Sequence, residues 1–298
     1  MRITTGSARD LVRQMKASGG FTAKKLGESV EILRSMIDDR ECLNFLSFPA
    51  DIVATGTRGV IRDMVRQKWF DAIVTTCGTL DHDIARSFGR YEHGSFDADD
   101  VRLMKRGVHR LGNVFVPRKN YGELIERKMT RWLEELTSAG KTDLSTSELC
   151  REIGSRLGRD SILHWAWKNR VPVFVPGITD GAVGYQLWQY SQNHAFKVDV
   201  LKDEQILSDL VFEAKRSGAL ILGGGISKHH VIWWNAFKDG LDYAVYLTTA
   251  QEYDGSLSGA RMKEAISWGK LKPTAPQVTV EGDATVLLPL VYAALLDV

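Results

Sequence analysis

Apolar positions change their period repeatedly along the chain. Leu26, Val30, Leu33 and Ile37 recur at helical spacing, and the run LNFLSF (43–48) that follows is apolar without alternation. This predicts a helix and then a strand buried on both faces. Val60, Ile61, Met64 and Val65 mark a second helix, which leads into the β-branched run DAIVTT (71–76). Residues 121–139 form a long amphipathic pattern stopped at Gly140, and Ser145 with Glu148 makes a capping box for a helix ending near Gly158. VPVFVP (171–176), ALILGG (219–224) and DYAVYLTT (242–249) are further unalternated strands, separated by helical stretches such as 203–216. Helices alternating with such strands predict a doubly wound α/β fold with a mostly parallel sheet flanked by helices. No internal repeat, low-complexity tract or linker interrupts residues 1–298, so a single domain is expected. The greasiest stretch, 284–296, is short and broken by Pro289, and MRITTGSARD lacks an apolar h-region. Neither a membrane span nor a secretory address is expected.

Charge and cysteine content narrow the function classes. Among 298 residues, 39 Lys and Arg stand against 37 Asp and Glu, for a net charge of +2. A balanced surface argues against a dedicated nucleic-acid binder. The three cysteines, Cys42, Cys77 and Cys150, are sparse and not in CxxC spacing, so neither a disulfide framework nor a thiolate zinc site is suggested and a cytoplasmic setting fits.

In a doubly wound sheet, ligands collect at the carboxyl ends of the strands. Those ends read FPADIVATG (48–56), TTCGTLDHD (75–83), PGITDG (176–181), GGGISKHH (223–230) and TTAQEYDGSLSGAR (248–261). Gly, Thr, Asp and His dominate them, a composition suited to a dinucleotide and a polar substrate. Neither GxGxxG nor GxxxxGK[ST] is present. His229 and His230 are adjacent, as are Asp81, His82 and Asp83, so they diverge rather than chelate and no metal site is expected. The acidic trio reads either as helix capping or as a polar cluster facing a cationic substrate. In EAISWGK (264–270), the lysine reads either as a solvated surface charge, as most lysines are, or as an amine partly desolvated by Trp268 and freed to act as a nucleophile.

The segments TTCGTLDHDIARSF (75–88), RLGNVFVP (110–117), VPGITDG (175–181), GGGISKHH (223–230), DGLDYAVYLTTAQEYDGSLSGAR (239–261), EAISWGK (264–270) and GDATVLLPL (282–290) together resemble the deoxyhypusine synthases, most closely their archaeal branch. The resemblance runs from about residue 29 to the C-terminus. It implies a Rossmann-like domain assembled as a homotetramer. It also implies NAD-dependent transfer of the aminobutyl group of spermidine to one lysine of translation initiation factor 5A, through an enzyme-lysine imine. By motif position Lys270 resembles the carrier lysine and His229 the base beside it. Thr76, Gly78, Asp180, Gly224, Thr249, Ala250, Asp283 and Ala284 match cofactor positions. Asp81, His82, Gly255, Ser256, Glu264 and Trp268 match polyamine positions. Compared with eukaryotic members, Tyr185 and Leu257 stand where carboxylates are expected, Trp233 replaces an asparagine, and Asp81-His82 replaces two glutamates. The remaining carboxylates, Asp81, Asp83 and Glu264, are then expected to hold the ammonium groups, with Trp233 and Trp268 packing the methylenes. A homospermidine synthase, with putrescine as acceptor, shares the hydride-transfer motifs and is the alternative. A catalytically silent homologue fits poorly, because Lys270, His229 and Glu264 are all retained.

Overall fold

A computed structural model describes residues 6–296, whose contacts group into two compact units. The first takes the chain up to Pro49, Gln67–Val74, and everything from Glu204 onward. The second takes Ala50–Arg66 and Thr75–Asp203.

In the first unit five strands run parallel, in the order Gln277–Glu281, Tyr243–Thr248, Arg216–Leu222, Cys42–Ser47, Ala72–Val74. The register pairs Val278 with Val245, Tyr243 with Gly218, Ala219 with Phe45, and Phe45 with Ala72. Phe45, Leu46, Ala72, Ile73, Ala219, Leu220, Ala244 and Val245 are fully buried, which is why these runs show no polar alternation. The predicted first helix is Phe21–Asp38, which buries Leu26, Leu33 and Met36 and packs against Tyr243–Thr248 and Gln277–Glu281. Gly225–Ala236 packs against Cys42–Ser47, Ala72–Val74 and Arg216–Leu222. Each large aliphatic side chain so buried is worth about 1.5–3 kcal/mol. The expected α/β architecture, a mostly parallel sheet flanked by helices, is observed.

Three features of this unit depart from the sequence expectation. Ala8–Ala17 is a helix opened by a capping box between Ser7 and Asp10. Gln277–Glu281 is an unanticipated edge strand, in which Val278 and Val280 are buried. The stretch expected to break at Pro289 is one continuous helix, Ala284–Leu296. Pro289 lacks an amide hydrogen, so it cannot donate to the carbonyl of Thr285, four residues earlier.

The second unit is mostly helical. Its helices include Arg58–Arg66, Cys77–Phe88, Gly122–Ser138, Thr146–Ser155, Ile162–Asn169 and Ala182–Ser191. The expected capping box is present: Ser145 Oγ accepts from the Glu148 amide at 3.1 Å, and Glu148 Oε2 accepts from the Ser145 amide at 2.8 Å. Gly140 stops the preceding helix with φ +75°, which lets Lys141 donate back to the Leu136 carbonyl at 2.9 Å. The capped helix ends at Ser155, before the expected Gly158, because the Arg156 and Leu157 amides tighten onto the Ile153 and Gly154 carbonyls. The motif RLGNVFVP is an antiparallel hairpin, Val108–Leu111 with Val114–Pro117, turning at Gly112 with φ +57°. Among the described residues no helix is long and apolar enough to cross a membrane.

Candidate active site

In the first unit, three neighbouring strands deliver candidate residues at their carboxyl ends. Arg216–Leu222 runs into Gly223, Gly224 and Gly225; Tyr243–Thr248 into Thr249 and Ala250; Gln277–Glu281 into Gly282, Asp283 and Ala284. Leu222 is paired with Leu247, and Thr248 with Glu281, so these loops emerge side by side. Asp283 is exposed and caps the last helix, accepting from the Thr285 amide and hydroxyl at 2.8 Å each. Thr249 is exposed and Ala250 half-buried, with the Ala250 amide donating to Thr248 Oγ1 at 3.0 Å. At Gly224 a β-carbon would lie 2.2 Å from Ser258 Oγ, so the residue is small because residues 250–261 fold down onto it.

That loop is pinned from beneath by Lys228, a residue the sequence patterns did not single out. Lys228 is 1% exposed; its Nζ donates to the carbonyls of Leu257 at 2.9 Å and Ala260 at 2.5 Å, and lies 3.8 Å above the Tyr246 ring. Tyr246 in turn donates its hydroxyl to the Ser258 carbonyl at 2.6 Å. Burial is the main cause that brings the Lys228 amine down to about 8; Arg261 acts in the same direction and Glu264 opposes it. Gly255 and Ser256 sit on the outer, exposed part of the loop, with Gly255 at φ +74°.

The helix Gly225–Ala236 also carries His229 and Trp233, and the segment after the Met262–Trp268 3-10 turns carries Lys270. Gly269, at φ +66°, reverses the chain so that Lys270 is held on both sides: its amide donates to Ala265, and its carbonyl accepts from Leu241. Lys270 is 8% exposed, and its Nζ is 3.4 Å from His229 Nε2. The same amine lies 5.5 Å from the Trp233 ring and 5.3 Å from the Trp268 ring. Trp233 stacks on His229 at 5.7 Å and 22°. Burial, the Lys270 charge and His230 together hold the His229 imidazole below the usual value of 6.5, so the ring is neutral near pH 7. Glu264 is exposed one helical turn before Trp268. A buried amine, a neutral imidazole and two indole faces make a pair able to exchange one proton beside a carbon skeleton.

In the second unit the candidates gather around the start of the helix Cys77–Phe88. Thr76 is its N-cap residue, and at Gly78 a β-carbon would lie 2.7 Å from Ala50 Cβ. Asp180 is exposed in the turn before the helix Ala182–Ser191. Asp81, expected at the polyamine, is 1% exposed and accepts from the amides of Ala182 and Val183 and from the Tyr121 hydroxyl. Its carboxyl is raised, by burial first, against those three bonds. His82 Nδ1 lies 2.8 Å from the Tyr91 hydroxyl, and burial with the nearby Arg86 charge pushes the imidazole down to about 4. It stays neutral at physiological pH. Asp83, expected as an ammonium partner, is instead fully buried: it pairs with Arg58 at 2.8 Å and caps Ile162–Asn169 through Ser161 Oγ and the amides of Ile162 and Leu163. No carboxylate oxygen there is left for a polyamine. Tyr185 is exposed and tilted against Trp188 at 5.6 Å.

The cysteines carry no reactive thiolate. All three are buried and free; burial drives the Cys42 thiol up to about 12 and raises Cys77 and Cys150 as well.

A family model described as deoxyhypusine synthase matches residues 10–295. The "Probable deoxyhypusine synthase" of Thermoplasma volcanium is 56% identical over 290 residues, covering 96% of this chain and 93% of that one. Its counterpart from Ignicoccus hospitalis is 57% identical over 294 residues, covering 96% and 91%. Among crystal structures, a deoxyhypusine synthase candidate from Entamoeba histolytica shares the fold with a TM-score of 0.64 at 22% identity, covering 92% of this chain and 88% of that one.

Proposed function

The chain belongs to the deoxyhypusine synthase family, and from that premise we propose that it transfers the 4-aminobutyl group of spermidine to one lysine of the translation initiation factor 5A precursor, with NAD as cofactor. The observation that carries this reading is the buried Lys270 amine, 3.4 Å from the His229 imidazole and flanked by two indoles.

When bound, NAD supplies the hydride acceptor that turns the secondary amine of spermidine into an imine, and then the donor that reduces the product. Lys270, as a free amine, adds to the imine carbon. The bond from that carbon to the 1,3-diaminopropane nitrogen breaks, which leaves the carbon double-bonded to Nζ. His229 takes the proton that Nζ releases on attack and returns one to the departing amine. The acceptor lysine then adds to the same carbon, and Lys270 leaves. Trp233 and Trp268 present faces to the methylenes, and the exposed Glu264 carboxylate, with Gly255 and Ser256, meets the polyamine.

Cofactor contacts are proposed for Gly224, Thr249, Ala250, Asp283 and Ala284, and by motif position for Thr76, Gly78 and Asp180. The fit rests on strand ends that open side by side and on exposed carboxylates at Asp180 and Asp283, which accept from hydroxyls such as those of ribose. The working form is proposed to be a cytoplasmic homotetramer.

The decisive experiment incubates the chain with NAD, labelled spermidine and purified factor 5A precursor, then examines the factor by mass spectrometry. The expected result is one aminobutyl addition on a single lysine. Labelled homospermidine from putrescine, with an unlabelled factor, would assign the alternative acceptor instead.

A further inference from the structure

Two carboxylates flank the turn that opens the helix Ala182–Ser191: Asp180 is exposed and Asp81 is 1% exposed. Asp81 projects from the helix Cys77–Phe88, where it shares the buried face with Cys77, Ile84 and Ala85. Its Oδ2 accepts from the Ala182 amide at 2.8 Å and the Tyr121 hydroxyl at 2.9 Å, and its Oδ1 accepts from the Val183 amide at 2.8 Å. The two amides are orphan donors of a helix start, and the positive end of that helix stabilises the carboxylate. Between the two acids stands Gly181, where a β-carbon would come within 2.8 Å of Asp81 Oδ2 and 2.7 Å of Cys77 Sγ. The Asp180 amide closes the turn onto the Gly177 carbonyl at 3.1 Å. Asp180 is thus held from behind, through two peptide units, by a carboxylate whose three donors already satisfy both oxygens.

We propose that Asp81 is a positioning residue: it fixes the exposed Asp180 for contact with the cofactor by holding the Ala182 and Val183 amides, and it does not bind the polyamine. This rests on the proposed contact between Asp180 and NAD. A direct ammonium partner would have to face solvent and exchange donors on each turnover, whereas Asp81 is enclosed by donors that belong to the fold.

The test measures NAD affinity by calorimetry, and the spermidine KM at saturating NAD, for Asp81→Asn, Asp180→Asn, the double variant and Tyr121→Phe. Asp81→Asn should weaken NAD roughly tenfold, the effect of one lost charged hydrogen bond, and leave the spermidine KM within about twofold. Because Asp81 acts through Asp180, the double variant should bind NAD no more weakly than Asp180→Asn alone. A tenfold rise in spermidine KM with unchanged NAD affinity would overturn the proposal, as would additive losses in the double variant. Should Asp81→Asn fail to fold, Tyr121→Phe removes one of the three donors that fix the Asp81 carboxylate and so loosens its hold on the two amides; NAD weakened a few-fold with KM unchanged supports the proposal, and the reverse overturns it. Failure of the wild-type chain to bind NAD would instead overturn the functional reading itself.

Discussion

The Nζ of Lys270 and Nε2 of His229 stand 3.4 Å apart, and the lysine's charge helps keep the imidazole neutral. For the transfer chemistry, Lys270→Arg should abolish aminobutyl transfer while NAD affinity stays within about twofold, because a guanidinium keeps its proton. Borohydride added with NAD and spermidine should trap a covalent adduct in the wild type and none in the variant. Trapping at another lysine would reassign the carrier.

The lowered His229 value sets an acid limit. Below its own pKa the imidazole is protonated and cannot accept from Lys270, so kcat/KM should fall on the acid side with an inflection under the ordinary histidine value of 6.5. His229→Gln should remove that limb and lower kcat by about 10²–10⁴-fold, the span of general acid–base contributions. A limb that persists in the variant belongs to another group.

Polyamine recognition should depend on Glu264, because Asp83 is committed to Arg58 and the start of the helix Ile162–Asn169. Glu264→Gln should raise the spermidine KM about tenfold or more, the effect of one lost charged hydrogen bond. Leu257→Asp, at a half-buried position of the loop 250–261, should be tolerated or shift polyamine preference. An unchanged KM in Glu264→Gln would place the ammonium elsewhere.

Asp83→Ala should act on stability. It leaves Arg58 without its carboxylate in a buried setting and takes the acceptor from the Ile162 and Leu163 amides at the start of Ile162–Asn169, a combination worth about 3–5 kcal/mol. Urea unfolding should register the loss at pH 7. Full stability in this variant would contradict the buried ion pair.

Lys228 gives a pH signature of opposite sign to that of a lysine whose value is raised by a carboxylate partner. Its folded value, about 8, lies below the unfolded value near 10.5, so between these limits the unfolded chain holds more proton than the native one. Native stability attributable to Lys228 therefore rises with pH across that window, and its penalty is complete below about 8. Lys228→Met leaves the Leu257 and Ala260 carbonyls without their donor, at about 1–3 kcal/mol. The gap in melting temperature between wild type and variant should widen from pH 8 to pH 10. A constant gap would mean that Lys228 does not titrate there.

The central strands were legible because both their faces are buried, which erases polar alternation in Cys42–Ser47 and Arg216–Leu222. The edge strand Gln277–Glu281 carries a different signature, a glutamine, a threonine and a glutamate alternating with two buried valines, so a reading tuned to unalternated runs passes over it. Lys270 and His229 could be named from their motifs, but their approach depends on a left-handed Gly269 that no spacing rule reveals. Lys228 carried a usable signal: it lies three and four positions before the buried Val231 and Ile232, on the inward stripe of its helix. A lysine there implies buried acceptors, although only the fold shows them to be carbonyls of residues 257 and 260. Asp81 and Asp83 each fall within a turn of Leu80 and Ile84, so the same reasoning identifies them as enclosed acids.

The strand order also governs when the chain can fold. Cys42–Ser47 leaves the ribosome early, yet its partner Arg216–Leu222 begins roughly 170 residues later. Until that partner arrives, an apolar strand with one unmatched edge waits in solution. Such a high contact order makes folding slow, and the waiting edge is a template for wrong pairing between nascent chains. Synthesis of this protein at high rates therefore calls for chaperone capacity in proportion, and a lower expression level, which keeps waiting chains apart, should raise the yield of soluble chain.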